Sequence, residues 1–150
     1  MERKTVDVII PVYRPDHSWK NLVDMLNIQT YPVNIIRVMN TGRENWNPVY
    51  ETWSSKMIVN HVTEDEFDHG ATRDAAARMS NADYLLFMTQ DAVPKDLTLV
   101  ECMVRQMQEA APWVKGKAPA YEHLNNHFCF RVTWREINYK PCALTVYNVL

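Results

Sequence analysis

Four short apolar runs, separated by segments with helical spacing, restrict the folds open to this chain. The first run, residues 6–12, reads VDVIIPV and lacks the alternation of a half-exposed strand. Such a run is typical of a strand buried on both faces of a parallel sheet. Similar runs at residues 35–39, 57–62 and 84–88 predict three further strands.

The segments between these runs predict helices. Residues 18–29 carry apolar side chains at helical spacing, with Ser18 as the expected N-cap, and residues 70–79 and 97–110 predict two more helices. We expect the last of these to end before Pro112, and residues 43–55 to form a loop or irregular helix. This alternation predicts an α/β fold with a mostly parallel sheet, flanking helices and right-handed crossovers.

The C-terminal residues 112–150 give a weaker pattern. Residues 131–139 and 143–149 are candidate strands, without a clear turn between them. We therefore divide the chain into a domain at residues 1–111 and an unassigned segment at residues 112–150, truncated or irregular in structure.

Composition excludes several classes of function. The 150 residues suit one domain, and the net charge of -2 gives no reason to expect a nucleic-acid partner. No apolar run approaches bilayer length, so we expect a cytoplasmic protein, with peripheral association at the inner membrane face as an alternative. The three cysteines are widely spaced, which disfavours a disulfide framework or a zinc site.

Polar residues follow each predicted strand. Ligands of open parallel sheets bind outside the carboxyl ends of the strands, so these residues are candidates for a binding site. They lie in residues 11–16 after the first strand, 40–42 after the second, 64–70 after the third and 89–92 after the fourth.

Asp91 has two interpretations. A carboxylate just past an apolar strand can hold a divalent cation against a diphosphate. Alternatively, Asp91 caps a following helix that Pro94 opens, and position alone favours this second interpretation.

The segment from Gly70 to Asp74 opens a predicted helix, and Arg73 in its first turn could contact a phosphate. The alternative is a solvated Arg73, or an ion pair with Asp74 or Glu66. Similarly, Asp68 and His69 could serve as a helix cap and a histidine at the edge of the core.

Three segments together resemble the family 2 glycosyltransferases, which have the GT-A fold. VDVIIPVY at residues 6–13 is similar to the first strand of that family. EFDHGATRD at residues 66–74 is similar to its Gly-x-x-Arg-Asn segment, and YLLFMTQDAVP at residues 84–94 is similar to the strand that carries its Asp-x-Asp metal motif. The resemblance covers about residues 5–111, and FDHG and TQDA favour a rhamnosyltransferase-like subgroup.

The resemblance implies a Rossmann-like GT-A nucleotide-diphospho-sugar transferase fold, truncated here. It implies transfer of a sugar, such as rhamnose, from a nucleotide-activated donor to a glycan or lipid-linked acceptor in cell-wall or polysaccharide biosynthesis. Mg²⁺ or Mn²⁺ would be the cofactor, held by Asp91. The implied nucleotide-sugar-binding residues are Pro11, Tyr13, Arg14, Asn40, Asp68, Arg73, Gln90 and Asp91.

The sequence departs from the family pattern in three places. Thr89 replaces the first Asp of the metal motif, and Met39-Asn40 stands where acidic residues usually contact the base and ribose. Residues 112–150 are too few to supply the acceptor half with its catalytic base. We therefore expect a natural fragment, a truncated product or a shifted reading frame after about residue 110, and the isolated chain could be inactive.

A second function stays open beside glycosyl transfer. A non-catalytic α/β remnant would retain the fold and act as a binding or regulatory module. Glu122 and Glu136 are the only acidic residues after Ala110, so they are the candidates for a catalytic base that would separate the two functions. A truncated sheet with an unpaired edge also predicts self-association.

Overall fold

A computed structural model describes residues 2–114 and 128–132. Along the chain, β1 (Val6–Tyr13) is followed by α1 (Ser18–Asn27), β2 (Ile35–Thr41), β3 (Met57–Val62) and α2 (His69–Arg78). After these come β4 (Tyr84–Met88), α3 (Leu99–Val114) and β5 (Phe128–Val132). Two short 3₁₀ segments, Arg43–Asn45 and Pro48–Trp53, connect β2 to β3, as expected for an irregular helix.

The described strands form one parallel sheet in the order β3-β2-β1-β4-β5. The chain passes from β1 outward to β2 and β3, then returns to place β4 on the other side of β1. The topological switch point therefore lies between the carboxyl ends of β1 and β4, where open parallel sheets bind ligands. The predicted parallel α/β sheet is confirmed.

The inner strands β1, β2 and β4 are buried on both faces, which explains their mostly apolar sequence, whereas the edge strand β3 is only partly buried. On one face, Val8 and Ile10 of β1 pack with Trp19 and Leu22 of α1 and Val100 of α3. On the other face, the smaller cluster contains the alanine-rich stretch of α2, and its buried residues are Ile9, Met39, Ala76, Ala77, Leu85 and Phe87. Small alanines allow α2 to approach the strands closely.

Several element boundaries differ from the sequence predictions. Ser18 is not the N-cap of α1; that position is His17, which makes no capping hydrogen bond. Instead, Asp16 Oδ1 accepts hydrogen bonds from the Ser18 N–H and hydroxyl, so the Ser18 side chain is engaged locally. The helix α3 also extends through Pro112 to Val114 rather than ending before it.

In the C-terminal segment, the described strand β5 starts at Phe128 and overlaps the predicted strand 131–139 only at Arg131 and Val132. The second predicted strand, 143–149, lies outside the described residues. Within residues 2–114 and 128–132, no helix is long and apolar enough to cross a bilayer.

Candidate functional site

A cavity of about 460 Å³ opens at the carboxyl edge of the sheet. Its walls come from the ends of β1 and β2 and from the segments that follow β3 and β4. The lining residues are Pro11, Val12, Tyr13, Thr41, Glu64, Phe67, His69, Arg73, Thr89 and Gln90. The volume and the mixture of apolar walls with a few polar groups are typical of small-molecule sites.

Tyr13 forms one wall of this cavity and is held at its hydroxyl. The Tyr13 hydroxyl donates a hydrogen bond of 2.9 Å to Glu64 Oε1, which links β1 to the segment after β3. This bond is the main cause that raises the pKa of the Tyr13 hydroxyl, because ionisation would remove the donor. The Arg14 guanidinium lies 4.9 Å from the centre of the Tyr13 ring. Arg14 is therefore beside the cavity wall, although it does not line the cavity itself.

The Gln90 side chain contacts the Tyr13 backbone through both atoms of its carboxamide. Its Oε1 accepts from the Tyr13 N–H at 2.7 Å, and its Nε2 donates to the Tyr13 carbonyl at 3.1 Å. The carboxamide therefore bridges β1 and the turn after β4 across the topological switch point.

The start of α2 forms another wall, and Asp68 is its N-cap. Asp68 Oδ1 accepts hydrogen bonds from the N–H groups of Gly70 and Ala71, which lower the pKa of the Asp68 carboxyl. The structure thus gives Asp68 the capping role and leaves it outside the cavity lining. The Asp68 carboxylate already occupies these two N–H groups. A phosphate at this end of α2 would therefore be bound mainly by Arg73, which lines the cavity.

The contacts around Arg73 bear on whether it pairs with Asp74 or Glu66. Arg73 Nη1 donates to the His69 carbonyl at 2.8 Å, which fixes the guanidinium near the first turn of α2. Asp74 forms its ion pair with Arg78, and Glu66 accepts from the Thr63 N–H and hydroxyl. Both proposed acidic partners of Arg73 therefore make these other contacts.

At the end of β2, Asn40 and Thr41 point in opposite directions. The buried Asn40 Nδ2 donates to the Gly42 carbonyl at 2.9 Å and lies 3.1 Å from His61 Nδ1. Asn40 supports the turn and lies outside the cavity lining, whereas the cavity-lining Thr41 is 4% exposed. Thr41 Oγ1 has no hydrogen-bond partner in the described structure, which makes it a candidate for contact with a ligand in the cavity.

Asp91 lies exposed in the turn directly after β4, next to Gln90. The turn is closed by a hydrogen bond from the Ala92 N–H to the Thr89 carbonyl. The capping interpretation of Asp91 is wrong, because the next helix, α3, begins only at Leu99. No hydrogen bond to the Asp91 carboxylate is found among the described residues.

A divalent cation at Asp91 would need ligands from elsewhere. The described part of the chain contains no group of three His, Cys, Asp or Glu side chains that could hold a metal ion. One exposed carboxylate still fits a cation shared with a bound diphosphate, since Mg²⁺ is often held by one or two carboxylates plus substrate phosphates.

Of the eight predicted nucleotide-sugar-binding residues, the cavity brings together Pro11, Tyr13, Arg73 and Gln90. Arg14, Asn40, Asp68 and Asp91 lie outside its lining. The other lining residues were candidates only by their place after a strand and were not among the predicted nucleotide-sugar-binding residues; they are Val12, Thr41, Glu64, Phe67, His69 and Thr89.

The fold is that of a GT-A-type α/β domain, with a cavity at its switch point. The crystal structure of S. aureus TarS shares this fold, with a TM-score of 0.54 and 17% identity over 71% of this chain and 20% of that chain. The predicted Rossmann-like GT-A fold is thereby confirmed. No family model matches the chain.

Two curated relatives are similar in sequence. The O-antigen chain rhamnosyltransferase RfbN of Salmonella typhimurium is 31% identical over 101 residues, covering 66% of this chain and 32% of the relative. The O-antigen chain rhamnosyltransferase WbaN of Salmonella anatum is 27% identical over 97 residues, covering 63% of this chain and 30% of the relative. The chain thus spans about a third of the length of these relatives. The predicted similarity to part of a rhamnosyltransferase-like glycosyltransferase is confirmed.

Proposed function

We propose that this chain is the nucleotide-sugar-binding part of a glycosyltransferase that transfers a sugar to a glycan or lipid-linked acceptor. The observation that carries the proposal is the convergence of Tyr13, Arg73 and Gln90 on one cavity at the switch point. These residues come from three segments that each resemble the family. Since the similar relatives are named rhamnosyltransferases, rhamnose is the donor sugar to test first.

The cavity suggests how a nucleotide would be held. The Tyr13 ring and Phe67 offer apolar surface to a base, and Thr41 and Glu64 offer polar groups to its edge or to the ribose. The Arg73 guanidinium provides a positive charge for the diphosphate. A bound Mg²⁺ or Mn²⁺, held by the Asp91 carboxylate, would neutralise charge on the leaving diphosphate.

The catalytic base is not assigned. The two candidates, Glu122 and Glu136, lie outside the described residues. Self-association is a further part of the proposal, because β3 pairs only with β2 in the described sheet and presents Ile58, which is 41% exposed. Sedimentation across micromolar concentrations tests this part, and cell fractionation tests the expected cytoplasmic location.

The metal role of Asp91 has a direct test. We expect Mn²⁺ to tighten the binding of a nucleoside diphosphate to the parent chain in calorimetric titrations. The Asp91→Asn variant keeps the shape of the side chain but loses its charge, so the Mn²⁺ effect should fall at least about tenfold. A Mn²⁺ effect equal to that of the parent would remove Asp91 from the metal site.

Asp96 provides the matched control for this experiment. It lies in the same loop, and its carboxylate accepts from the N–H and hydroxyl of Thr98. Asp96→Asn removes the same charge and retains an acceptor for Thr98. It should therefore bind the nucleotide and Mn²⁺ as the parent does.

A further inference from the structure

The ladder between β1 and β4 ends before the carboxyl edge of the sheet. The two strands pair from Val6–Tyr84 to Ile9–Phe87, and β1 then continues to Tyr13 beside β2 alone. The opening between the strand ends forms part of the cavity. The backbone of β1 beyond Ile9 therefore needs partners on this side other than β4.

The direction of the β1 peptide groups shows which residues face the opening. The Thr5 carbonyl accepts from the Tyr84 N–H on the β4 side, and the Val6 carbonyl accepts from the Asn34 N–H on the β2 side. Because backbone groups alternate along a strand, Pro11 and Tyr13 also face β4. Pro11 has no N–H to donate, so the ladder cannot continue through it.

The next residue of β1 that faces β4 is Tyr13, and the Gln90 side chain is its partner there. A carboxamide has the same donor and acceptor pair as a peptide group, and Gln90 uses both atoms on Tyr13. We propose that Gln90 is a positioning residue whose side chain replaces the absent β4 peptide and fixes the Tyr13 wall of the cavity for ligand binding. This inference rests on the proposed nucleotide binding.

The residue after Tyr13 shows that this segment needs such support. Arg14 has a φ of 47°, in the left-handed region that residues with a Cβ rarely adopt. A strained conformation of this kind persists when its surroundings hold it in place. The Gln90 carboxamide holds the carbonyl of Tyr13, which belongs to the peptide group that joins Tyr13 to Arg14. Gln90 therefore maintains both the turn and the guanidinium position over the Tyr13 ring.

The test compares Gln90→Met with the parent chain. Methionine has a similar length and removes both hydrogen bonds, so the Tyr13 wall should loosen. We expect the affinity for a nucleoside diphosphate to fall about tenfold. We also expect the Tyr13 amide to exchange its hydrogen faster in the free protein. Gln90→Asn, which is too short to reach both atoms, serves as a second variant and should give the same two effects.

Gln29 offers a matched control away from the cavity. Its Oε1 accepts from the Val100 N–H at 3.1 Å, and its Nε2 donates to the Asp96 carbonyl at 3.0 Å. Gln29→Met should lower the thermal midpoint and leave the nucleotide affinity of the folded protein unchanged. A loss of affinity equal to that of Gln90→Met would show that general destabilisation explains both, which would overturn the positioning role.

Nucleotide binding by the parent and by the Gln90 variants separates the positioning role from the proposed function. If the parent binds a nucleoside diphosphate and the Gln90 variants bind it equally well, the positioning role is wrong and nucleotide binding stands. If the parent binds no nucleotide, the proposed function is wrong. In that case unchanged exchange of the Tyr13 amide in Gln90→Met would also overturn the structural role of the side chain.

Discussion

Tyr13 and Glu64, which are 51 positions apart in the sequence, are joined by a hydrogen bond of 2.9 Å beside the cavity. The bond raises the pKa of the Tyr13 hydroxyl above the ordinary value of about 10. The folded protein thus favours the neutral phenol. The hydrogen bond therefore contributes fully to stability below the unfolded-state pKa of Tyr13, and this contribution is lost as the pH rises through the folded-state pKa of Tyr13.

The first prediction concerns this titration. Removing the acceptor in Glu64→Ala should lower the pKa of Tyr13 toward its ordinary value. Phenolate absorbance measures the change, and subtraction of the same titration for Tyr13→Phe isolates Tyr13 from the other tyrosines. A Tyr13 transition at the same pH in the variant and the parent would contradict the hydrogen bond.

The second prediction concerns Thr41, whose buried Oγ1 has no partner in the described structure. Thr41→Val keeps the shape and removes the hydroxyl. We expect stability in urea to stay equal or to rise by about 1 kcal/mol, because no hydrogen bond within the protein is lost. Affinity for a nucleoside diphosphate should fall by roughly fivefold to tenfold if the hydroxyl contacts the ligand.

Thr72 is the control for Thr41. It is also buried, at 4% exposure, but its Oγ1 accepts from the Asp68 N–H. Thr72→Val should therefore lower stability without the same loss of affinity. If Thr41→Val destabilises the protein as much as Thr72→Val and leaves binding intact, Thr41 is a structural residue.

The third prediction concerns the amino edge of the sheet, far from the cavity. The carboxylate of the buried Asp7 accepts hydrogen bonds from Ser80 Oγ and Asn34 Nδ2. Ser80→Ala leaves part of this carboxylate without a partner, which should cost about 1–3 kcal/mol in urea unfolding. Nucleotide affinity of the folded protein should not change. A loss of affinity would contradict this prediction and would show that the two edges of the sheet are coupled.

The sequence predicted β1 to β4 well because each is a short, mostly apolar and β-branched or aromatic run. β3 and β4 occur at the predicted residues, and β1 and β2 are longer only by polar residues at their ends, such as Tyr13 and Thr41. These extra residues pair through the backbone, with Tyr13 opposite Thr41, and backbone pairing leaves little trace in hydropathy. The prediction of Ser18 as the N-cap of α1 was wrong. The Ser18 N–H and hydroxyl both donate to Asp16 Oδ1, and hydropathy does not reveal a local contact of this kind.

The site was predicted less completely than the fold. Segment resemblance led to Tyr13, Arg73 and Gln90 but could not separate ligand contacts from supporting residues. Asp68 caps α2 and Asn40 supports the Gly42 turn, and both roles depend on local hydrogen bonds that residue type alone does not reveal. Glu64 was a candidate by its place after β3, but its contact with Tyr13 was not predicted, because that contact depends on how the segment after β3 returns across the sheet.

The nucleotide-sugar site is best tested by calorimetric titration of a nucleoside diphosphate into the parent chain in the presence of Mn²⁺. We expect a dissociation constant below about 1 mM. The matching nucleoside, which lacks the phosphates, should bind at least about tenfold more weakly, because it loses the charged contacts with Arg73 and the metal. The absence of any binding heat at millimolar nucleoside diphosphate, with the protein folded, would contradict the proposed nucleotide-sugar site.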